Sequence, residues 1–186
     1  MVKVSIIGTA GRDKTKVFSK ELFNKMVAAA KYILANLTDV TLVSGGAAWA
    51  DHVAVKLFLE GFTSKLILHL PCKWDNGKFI DNGNFDWRIN PGRTANYYHG
   101  KFSEVLEQTS TGIYFDTLSE IDAAIKKGAI ITVNNGFHAR NNLVAQSEYL
   151  IAFTWSQNNS PTDGGTLDTW NKSNGQKYHV CLQILS

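Results

Sequence analysis

The segment "TLVSGGAAWADHVAV" (Thr41–Val55) decides how this chain folds. It begins with apolar and β-branched residues that are typical of a buried strand, and after two glycines its apolar residues recur at helical spacing. A plain turn between a strand and a helix needs only one glycine. The pair Gly45-Gly46 therefore indicates that another group comes close to the main chain at this point.

The same alternation of short apolar strands and amphipathic helices extends along the chain. We predict strands at residues 2–9, 40–44, 65–70, 129–133, 149–155 and 178–185, and helices at 19–37, 51–60, 91–107, 119–127, 135–146 and 166–172. This pattern predicts an α/β fold, a Rossmann-like doubly wound parallel sheet with helices on both faces. We expect residues 1–186 to form a single domain.

One segment interrupts this rhythm. Residues 72–93, "CKWDNGKFIDNGNFDWRINPGR", are rich in Asn, Asp, Gly and aromatic residues, show no clear period and exceed the length of an ordinary connection. With the helices that follow, they form an inserted loop-helix segment at about 72–127. Its rings and arginines suit stacking on a base, a minor core or a dimer interface. We predict a homodimer because the insertion exposes many apolar rings, and we predict Arg93 as a ligand contact.

The composition narrows the class of partner and the location. The chain has 186 residues, of which 44% are hydrophobic and 19% charged, as in an ordinary globular protein. The net charge of +3 is spread along the chain and argues against a nucleic-acid partner. Cys72 and Cys181 form no CxxC motif, and neither an N-terminal signal nor a membrane-spanning stretch is visible. We therefore expect a cytoplasmic protein without a membrane partner.

The sequence lacks the motifs that mark a metal site and several classes of enzyme. The five histidines show no HxH or HExxH spacing, which argues against a metal site. The patterns GxGxxG, GxxxxGK[ST] and GxSxG are absent, so an ordinary NAD dehydrogenase, a P-loop NTPase and an acyl-transfer enzyme are disfavoured. We predict no cofactor.

The predicted strand ends carry the candidate ligand-binding residues. Open parallel sheets bind ligands at the carboxyl ends of their strands, near the point where the strand order reverses. Glycines let a ligand approach the main chain, helix N-termini offer N–H groups, and guanidinium groups match phosphate oxygens. The residues of these types at four strand ends are Gly8, Thr9 and Arg12; Ser44, Gly45 and Gly46; Asn135, His138, Arg140 and Asn141; and Gly164, Gly165 and Thr166. We predict that the glycine pair forms a floor for the phosphate or ribose of a nucleotide.

Four motifs together resemble a known family. "GTAGRD", "VSGGAAWAD", "HARNNLVAQSEYLIAF" and "GGTLDTW", in that order, resemble the SLOG superfamily, a group of Rossmann-like nucleotide-binding proteins. That group includes the LOG (lysine-decarboxylase-like) cytokinin-activating phosphoribohydrolases, DprA-like proteins and nucleotide-sensing domains of bacterial defence systems. The resemblance covers most of the chain outside the insertion. It implies a nucleotide or an ADP-ribose-like ligand in the predicted crevice.

The chain departs from the family pattern at two places. Trp49 stands where members often have glycine, and its ring could stack on a base or pack as a lid. The resemblance assigns Arg140 of "HAR" to the arginine of the LOG hydrolases, whereas Thr169 occupies the position of their glutamate, beside Asp168. The phosphate-binding half of that apparatus is therefore present, and the acid/base half is displaced or missing.

Two main functions follow from this. The first is a binding protein that senses or sequesters a nucleotide or a nucleotide-derived signal. The alternative is an N-glycoside hydrolase or transferase acting on a nucleotide, with Asp168 or Asp51 as the catalytic carboxylate and Glu148 as a further candidate. Asp51 also suits a contact to a ribose hydroxyl or a first-turn partner of the helix dipole. A DprA-like DNA partner ranks last.

Overall fold

The computed structural model describes residues 1–107 and 116–186, and the part of the predicted insertion at 108–115 lies outside them. The strands are β1 (Val2–Gly8), β2 (Val40–Ser44), β3 (Lys65–Leu70), β4 (Trp74–Asp75), β5 (Lys78–Phe79), β6 (Ile130–Val133), β7 (Tyr149–Thr154) and β8 (Gln176–Cys181). The helices are α1 (Lys20–Leu34), α2 (Ala50–Leu59), α3 (Pro91–Glu107), α4 (Thr117–Lys127), α5 (Phe137–Val144), α6 (Gly164–Lys172) and α7 (Leu182–Leu185).

The central sheet has six strands, all parallel, in the order β6-β3-β2-β1-β7-β8. The chain runs outward from β1 through β2 and β3 to β6, and then crosses to the other side of β1. The strand order therefore reverses between β1 and β7. The predicted α/β fold with a parallel, Rossmann-like sheet is confirmed.

Helices cover both faces of this sheet. Val4 and Ile6 of β1 belong to the main core together with apolar residues of α1 and α2. Ile7 points the other way, into a second cluster with Val144 of α5 and Trp170 of α6. Because alternate residues of β1 are buried on opposite faces, α5 and α6 lie across the sheet from α1 and α2. Within the described residues, no helix is both long and apolar enough to cross a membrane.

The irregular segment after β3 contains a β-hairpin that is absent from the predicted elements. Trp74 pairs with Phe79, and the turn residues Asn76 and Gly77 have φ values of 51° and 78°. Two successive left-handed residues are what a two-residue Asn-Gly hairpin turn requires. The turn signal "DNGK" is present in the sequence, but the flanking strands have only two residues each and are too short to show a period.

The predicted closing strand at 178–185 is wrong in its second half. The strand ends at Cys181, and Leu182–Leu185 form a short helix. Leu182 is fully buried in the main core, and Leu185 packs against the same core. A helical turn brings these two residues to one side, whereas a strand would point them to opposite sides.

Gly8 ends β1 at a point where neighbouring main chain leaves no room for a side chain. Its φ is 148°, and a Cβ there would overlap the Phe153 carbonyl oxygen and lie 2.8 Å from the Ala50 Cβ. We expect Gly8→Ala to lower the free energy of unfolding by about 3 kcal/mol. The control Gly100→Ala, in α3 with no atom within 4 Å of the new Cβ, should instead raise it by about 0.5–1 kcal/mol. Urea denaturation measures both, and a Gly8→Ala midpoint equal to that of wild type would contradict this packing argument.

Candidate functional site

The glycine turn after β2 is contacted by Arg140, which lies 95 positions later in the sequence. The Arg140 guanidinium donates through Nη1 to the Gly45 carbonyl oxygen. A Cβ at Gly45 would overlap the Arg140 side chain. The group that approaches the main chain at the glycine pair is therefore the protein's own guanidinium.

The amides of this turn already have partners inside the protein. Gly46 N donates to Ser44 Oγ at 3.1 Å, and Ala47 N donates to Asp51 Oδ2 at 3.2 Å. Ser44 Oγ in turn donates to the Asp51 main-chain oxygen at 2.8 Å. The turn thus binds the Asp51 carboxylate of the same chain. The amides of Gly46 and Ala47 are therefore not available to a phosphate.

Asp51 and Arg140 form a buried pair. Only 7% of Asp51 and 8% of Arg140 is exposed, and Asp51 Oδ2 lies 3.6 Å from Arg140 Nη1. Burial raises the pKa of Asp51, and Arg140 and the amides of Ala47 and Gly45 oppose that shift. Burial also lowers the pKa of Arg140. Arg140 Nε is buried and has no hydrogen-bond partner among the described residues, so the guanidinium keeps one unsatisfied donor.

A second arginine shares an aromatic ring with Arg140. The Cζ atoms of Arg12 and Arg140 lie 5.9 Å and 5.3 Å from the centroid of the Phe137 ring. Arg12 Cζ is also 5.0 Å from the Tyr98 centroid. The Arg12 charge contributes to the lowered pKa of Arg140. In the part of the chain that the structure describes, Arg12 has no ion pair with a carboxylate, so the Asp51 carboxylate is paired with only one of these two cations.

Both arginines line a cleft at the carboxyl edge of the sheet. The cleft is narrow, with a volume of about 20 Å³, which is room for about one water molecule, and it is open to solvent. Alanine, proline and aromatic side chains form most of its walls, and Arg12 and Arg140 carry the only charges among the described residues that line it. Phe79, Ala95 and Tyr98 come from the insertion. The structure therefore brings Arg12, Gly45, Gly46 and Arg140 together, as the sequence predicted.

Another group of predicted residues lies beside the cleft and does not line it. Thr166 Oγ1 donates to the Gly8 carbonyl oxygen at 3.1 Å, and a Cβ at Gly165 would lie 3.4 Å from Asn141 Nδ2. These contacts join the starts of α5 and α6 to the end of β1. Gly164 is the first residue of α6, which begins two residues earlier than predicted.

The remaining ligand-binding candidates are spread around the rim. Thr9 shapes the turn after β1, because its carbonyl oxygen accepts from Ala50 N and its hydroxyl accepts from Gly11 N. Arg93 lies over the exposed Phe85 ring at 4.1 Å, outside the cleft lining. His138 is exposed, with its ring 6.2 Å from that of Trp87. Their roles as ligand contacts stay predictions.

The predicted catalytic carboxylates all have partners. Asp51 is engaged as described above, and Asp168 pairs with Lys172 at 2.9 Å on α6. Glu148 Oε2 accepts from Lys3 N at 2.7 Å and directly precedes β7, which places it at the amino end of the sheet, away from the cleft. None of the three lines the cleft.

Trp49 packs in the core and is not free to stack on a base. It is 3% exposed, and its ring lies 4.8 Å from Phe18 and 4.4 Å from Phe102 between centroids. Its φ of 62° and ψ of −108° are strained for a residue with a side chain and easy for glycine. Of the two roles that the sequence left open, the geometry therefore supports packing.

Sequence reasoning missed His99, which holds the second glycine of the turn. His99 is fully buried in α3, with Nε2 2.8 Å from the Gly46 carbonyl oxygen and Nδ1 2.9 Å from Thr117 Oγ1. Because a carbonyl oxygen only accepts, Nε2 carries the proton and Nδ1 accepts from the threonine. No local pattern marks this role, since Gly46 lies 53 positions away in sequence.

Burial lowers the pKa of His99 to about 3, below that of histidine in an unfolded chain. Between pH ~6.5 and ~3 the unfolded state therefore binds a proton that the folded state does not. The free energy of unfolding should fall as the pH drops through this range, by up to about 1.4 kcal/mol per pH unit. His99→Gln keeps an N–H donor and does not titrate, so its stability should fall less steeply in urea titrations from pH 7 to pH 4.5. The exposed His138→Gln should keep the wild-type slope, and an unchanged slope in His99→Gln would contradict the assignment.

Comparison with known proteins finds a viral relative of this chain. No established family profile matches the sequence, and no solved structure matches it. The chain is 40% identical to uncharacterized protein R261 of Acanthamoeba polyphaga mimivirus, over an alignment of 192 residues that spans 98% of this chain and 97% of the relative. At that identity over nearly the whole of both chains, this protein belongs to the same family as the mimivirus protein.

Proposed function

We propose that this protein binds a nucleotide or a nucleotide-derived ligand, such as an ADP-ribose derivative, and senses or sequesters it. The ligand's phosphate would lie in the cleft at the carboxyl edge of the sheet. One observation carries the proposal: the Cζ atoms of Arg12 and Arg140 lie 5.9 Å and 5.3 Å from the centroid of the same Phe137 ring, and among the described residues only Arg140 of the two has a carboxylate partner, Asp51.

The chemistry of this arrangement favours an anion. A guanidinium presents several N–H groups in a plane that matches phosphate oxygens. A phosphate would supply the negative charge that Arg12 lacks among the described residues. The start of α5 adds to this, because Gly136 precedes it and no side chain caps its first turn.

The rest of a nucleotide would lie at the open mouth of the cleft, because the cleft itself has room for about one water molecule. Tyr98 and Phe137 present rings beside the arginines, and alanines and a proline complete an apolar surface. The resemblance of the sequence motifs to the SLOG superfamily supports the same ligand class. The glycine-like backbone of Trp49, at a position where that family often has glycine, agrees with the resemblance.

Binding without turnover is better supported than hydrolysis. Cleavage of an N-glycosidic bond needs a carboxylate near the sugar, to activate water or to stabilise the developing cation. The carboxylates of Asp51 and Asp168 are engaged by Arg140 and Lys172, and neither lines the cleft. Incubation of the pure protein with nucleoside monophosphates, NAD and cyclic ADP-ribose species, followed by mass spectrometry, tests the choice. Unchanged ligand retained after gel filtration supports binding, and free base formed with turnover supports the hydrolase alternative.

Arg12 provides the sharpest test of the cleft, because it is exposed and its removal should not disturb folding. We expect Arg12→Ala to weaken binding of the retained ligand by about tenfold or more, as charge-assisted hydrogen bonds are lost. The matched control is Arg88→Ala, since the Arg88 side chain is 71% exposed and paired with Asp86. Isothermal titration calorimetry measures both variants. Full affinity in Arg12→Ala, or an equal loss in Arg88→Ala, would contradict the placement of the site.

We also propose that the protein is a homodimer. The insertion exposes large apolar side chains close together in sequence, with Phe85 86%, Trp87 47% and Ile89 59% exposed. Such a group of exposed apolar residues is typical of an interface.

Multi-angle light scattering should give the dimer mass for the wild type and the monomer mass for a Phe85→Ser, Trp87→Ser double variant. The reason is that the substitutions remove the apolar surface that association would bury. Tyr32→Ser, at an exposed ring on α1, is the control and should stay dimeric. A wild type that elutes as a clean monomer would refute the interface.

A further inference from the structure

We propose that Asp51 is a resident anion behind the cleft wall, paired with Arg140, whose charge limits how tightly the cleft holds an external anion. In this role Asp51 neither contacts the ligand nor transfers a proton. The inference rests on the proposed function, because it concerns the same site, and it assigns the carboxylate a different task from catalysis.

The geometry shows which groups Asp51 occupies. Its Oδ2 accepts from Ala47 N at 3.2 Å and lies 3.6 Å from Arg140 Nη1. A main-chain amide of a glycine turn together with a guanidinium is the donor set that a small anion uses in open glycine-rich loops. In this protein the side chain of the second residue of α2 takes that place. An external anion must therefore bind on the open side of Arg140, towards Arg12.

The charges of Arg12, Arg140 and Asp51 determine how tightly the cleft binds an anion. The cleft has two cations, Arg12 and Arg140, and Asp51 neutralises one of them. An incoming phosphate is attracted by both guanidinium groups and repelled by the carboxylate behind them. Because Asp51 and Arg140 are nearly excluded from water, this repulsion is weakly screened. Removal of the Asp51 charge should therefore strengthen anion binding, whereas removal of a ligand contact would weaken it.

The test uses Asp51→Asn with inorganic phosphate as the probe. Asparagine keeps the size of the side chain and an oxygen that can accept from Ala47 N, and it removes the charge while replacing the second oxygen by an NH2 group. We expect phosphate to bind about tenfold tighter to Asp51→Asn than to the wild type, by isothermal titration calorimetry at constant ionic strength. Asp122→Asn is the control, because this carboxylate pairs with Lys126 on α4 outside the cleft, and its phosphate affinity should match that of the wild type.

The folding of Asp51→Asn gives a second readout. Arg140 loses its carboxylate partner in this variant, so the free protein should be less stable. Phosphate should then raise its melting temperature by more than it raises that of the wild type. If the variant does not fold in chloride, we expect it to refold in phosphate at the same ionic strength. Folded protein obtained in phosphate supports the proposal, and failure to fold in phosphate overturns it.

The outcomes separate this inference from the proposed function. Phosphate binding that is equal or weaker in Asp51→Asn than in a binding-competent wild type overturns the resident-anion role and leaves the cleft intact as a ligand site. If neither protein binds phosphate or any nucleotide of the panel, the proposed function itself fails. A wild type that binds phosphate weakly and an Asp51→Asn variant that binds it tightly support both.

Discussion

The contact between the Arg140 guanidinium and the Gly45 carbonyl is the interaction on which the rim of this sheet depends. It joins α5, on one face of the sheet, to the turn between β2 and α2, whose core lies on the other face. A guanidinium that is almost excluded from water is stable only if acceptors replace its hydration. The Gly45 carbonyl is one such acceptor, and the Asp51 carboxylate, 3.6 Å from Nη1, supplies the opposite charge; this requires that Gly45 has no side chain and that Asp51 lies in the first turn of its helix.

The contact between Arg140 and the Gly45 carbonyl changes how the glycine pair is interpreted. A glycine turn before a helix is often the place where a phosphate meets main-chain amides. Here Ser44 and Asp51 already satisfy the amides of Gly46 and Ala47. The positive charge that is left belongs to guanidinium groups at the mouth of the cleft, so an anion would be held mainly by side chains and by the uncapped start of α5.

The layers of the fold could be predicted from the sequence. Which residues contact one another within the site could not. Periodicity placed β2, β3 and α3 at the bounds that the structure shows, because buried strands and amphipathic helices leave local patterns. The glycines at 45 and 46 indicated a close approach, but Arg140, the group that approaches, is 95 positions away, and no local pattern encodes such a pairing. The role of His99 stayed hidden for the same reason. The Asn76-Gly77 hairpin was missed for a different reason: its turn signal is local, but its two-residue strands are too short to show a period.

The two carbonyls of the glycine turn are held from opposite faces of the sheet. Arg140 on α5 takes the Gly45 oxygen, and His99 on α3 takes the Gly46 oxygen. A turn fixed at two successive peptides can carry strain, which accounts for the positive φ of Trp49 just beyond it. Because α3 belongs to the insertion, the insertion helps to fix the rim as well as to wall the cleft. Arg140 is therefore held in place before a ligand arrives, and little ordering of this side chain would oppose binding.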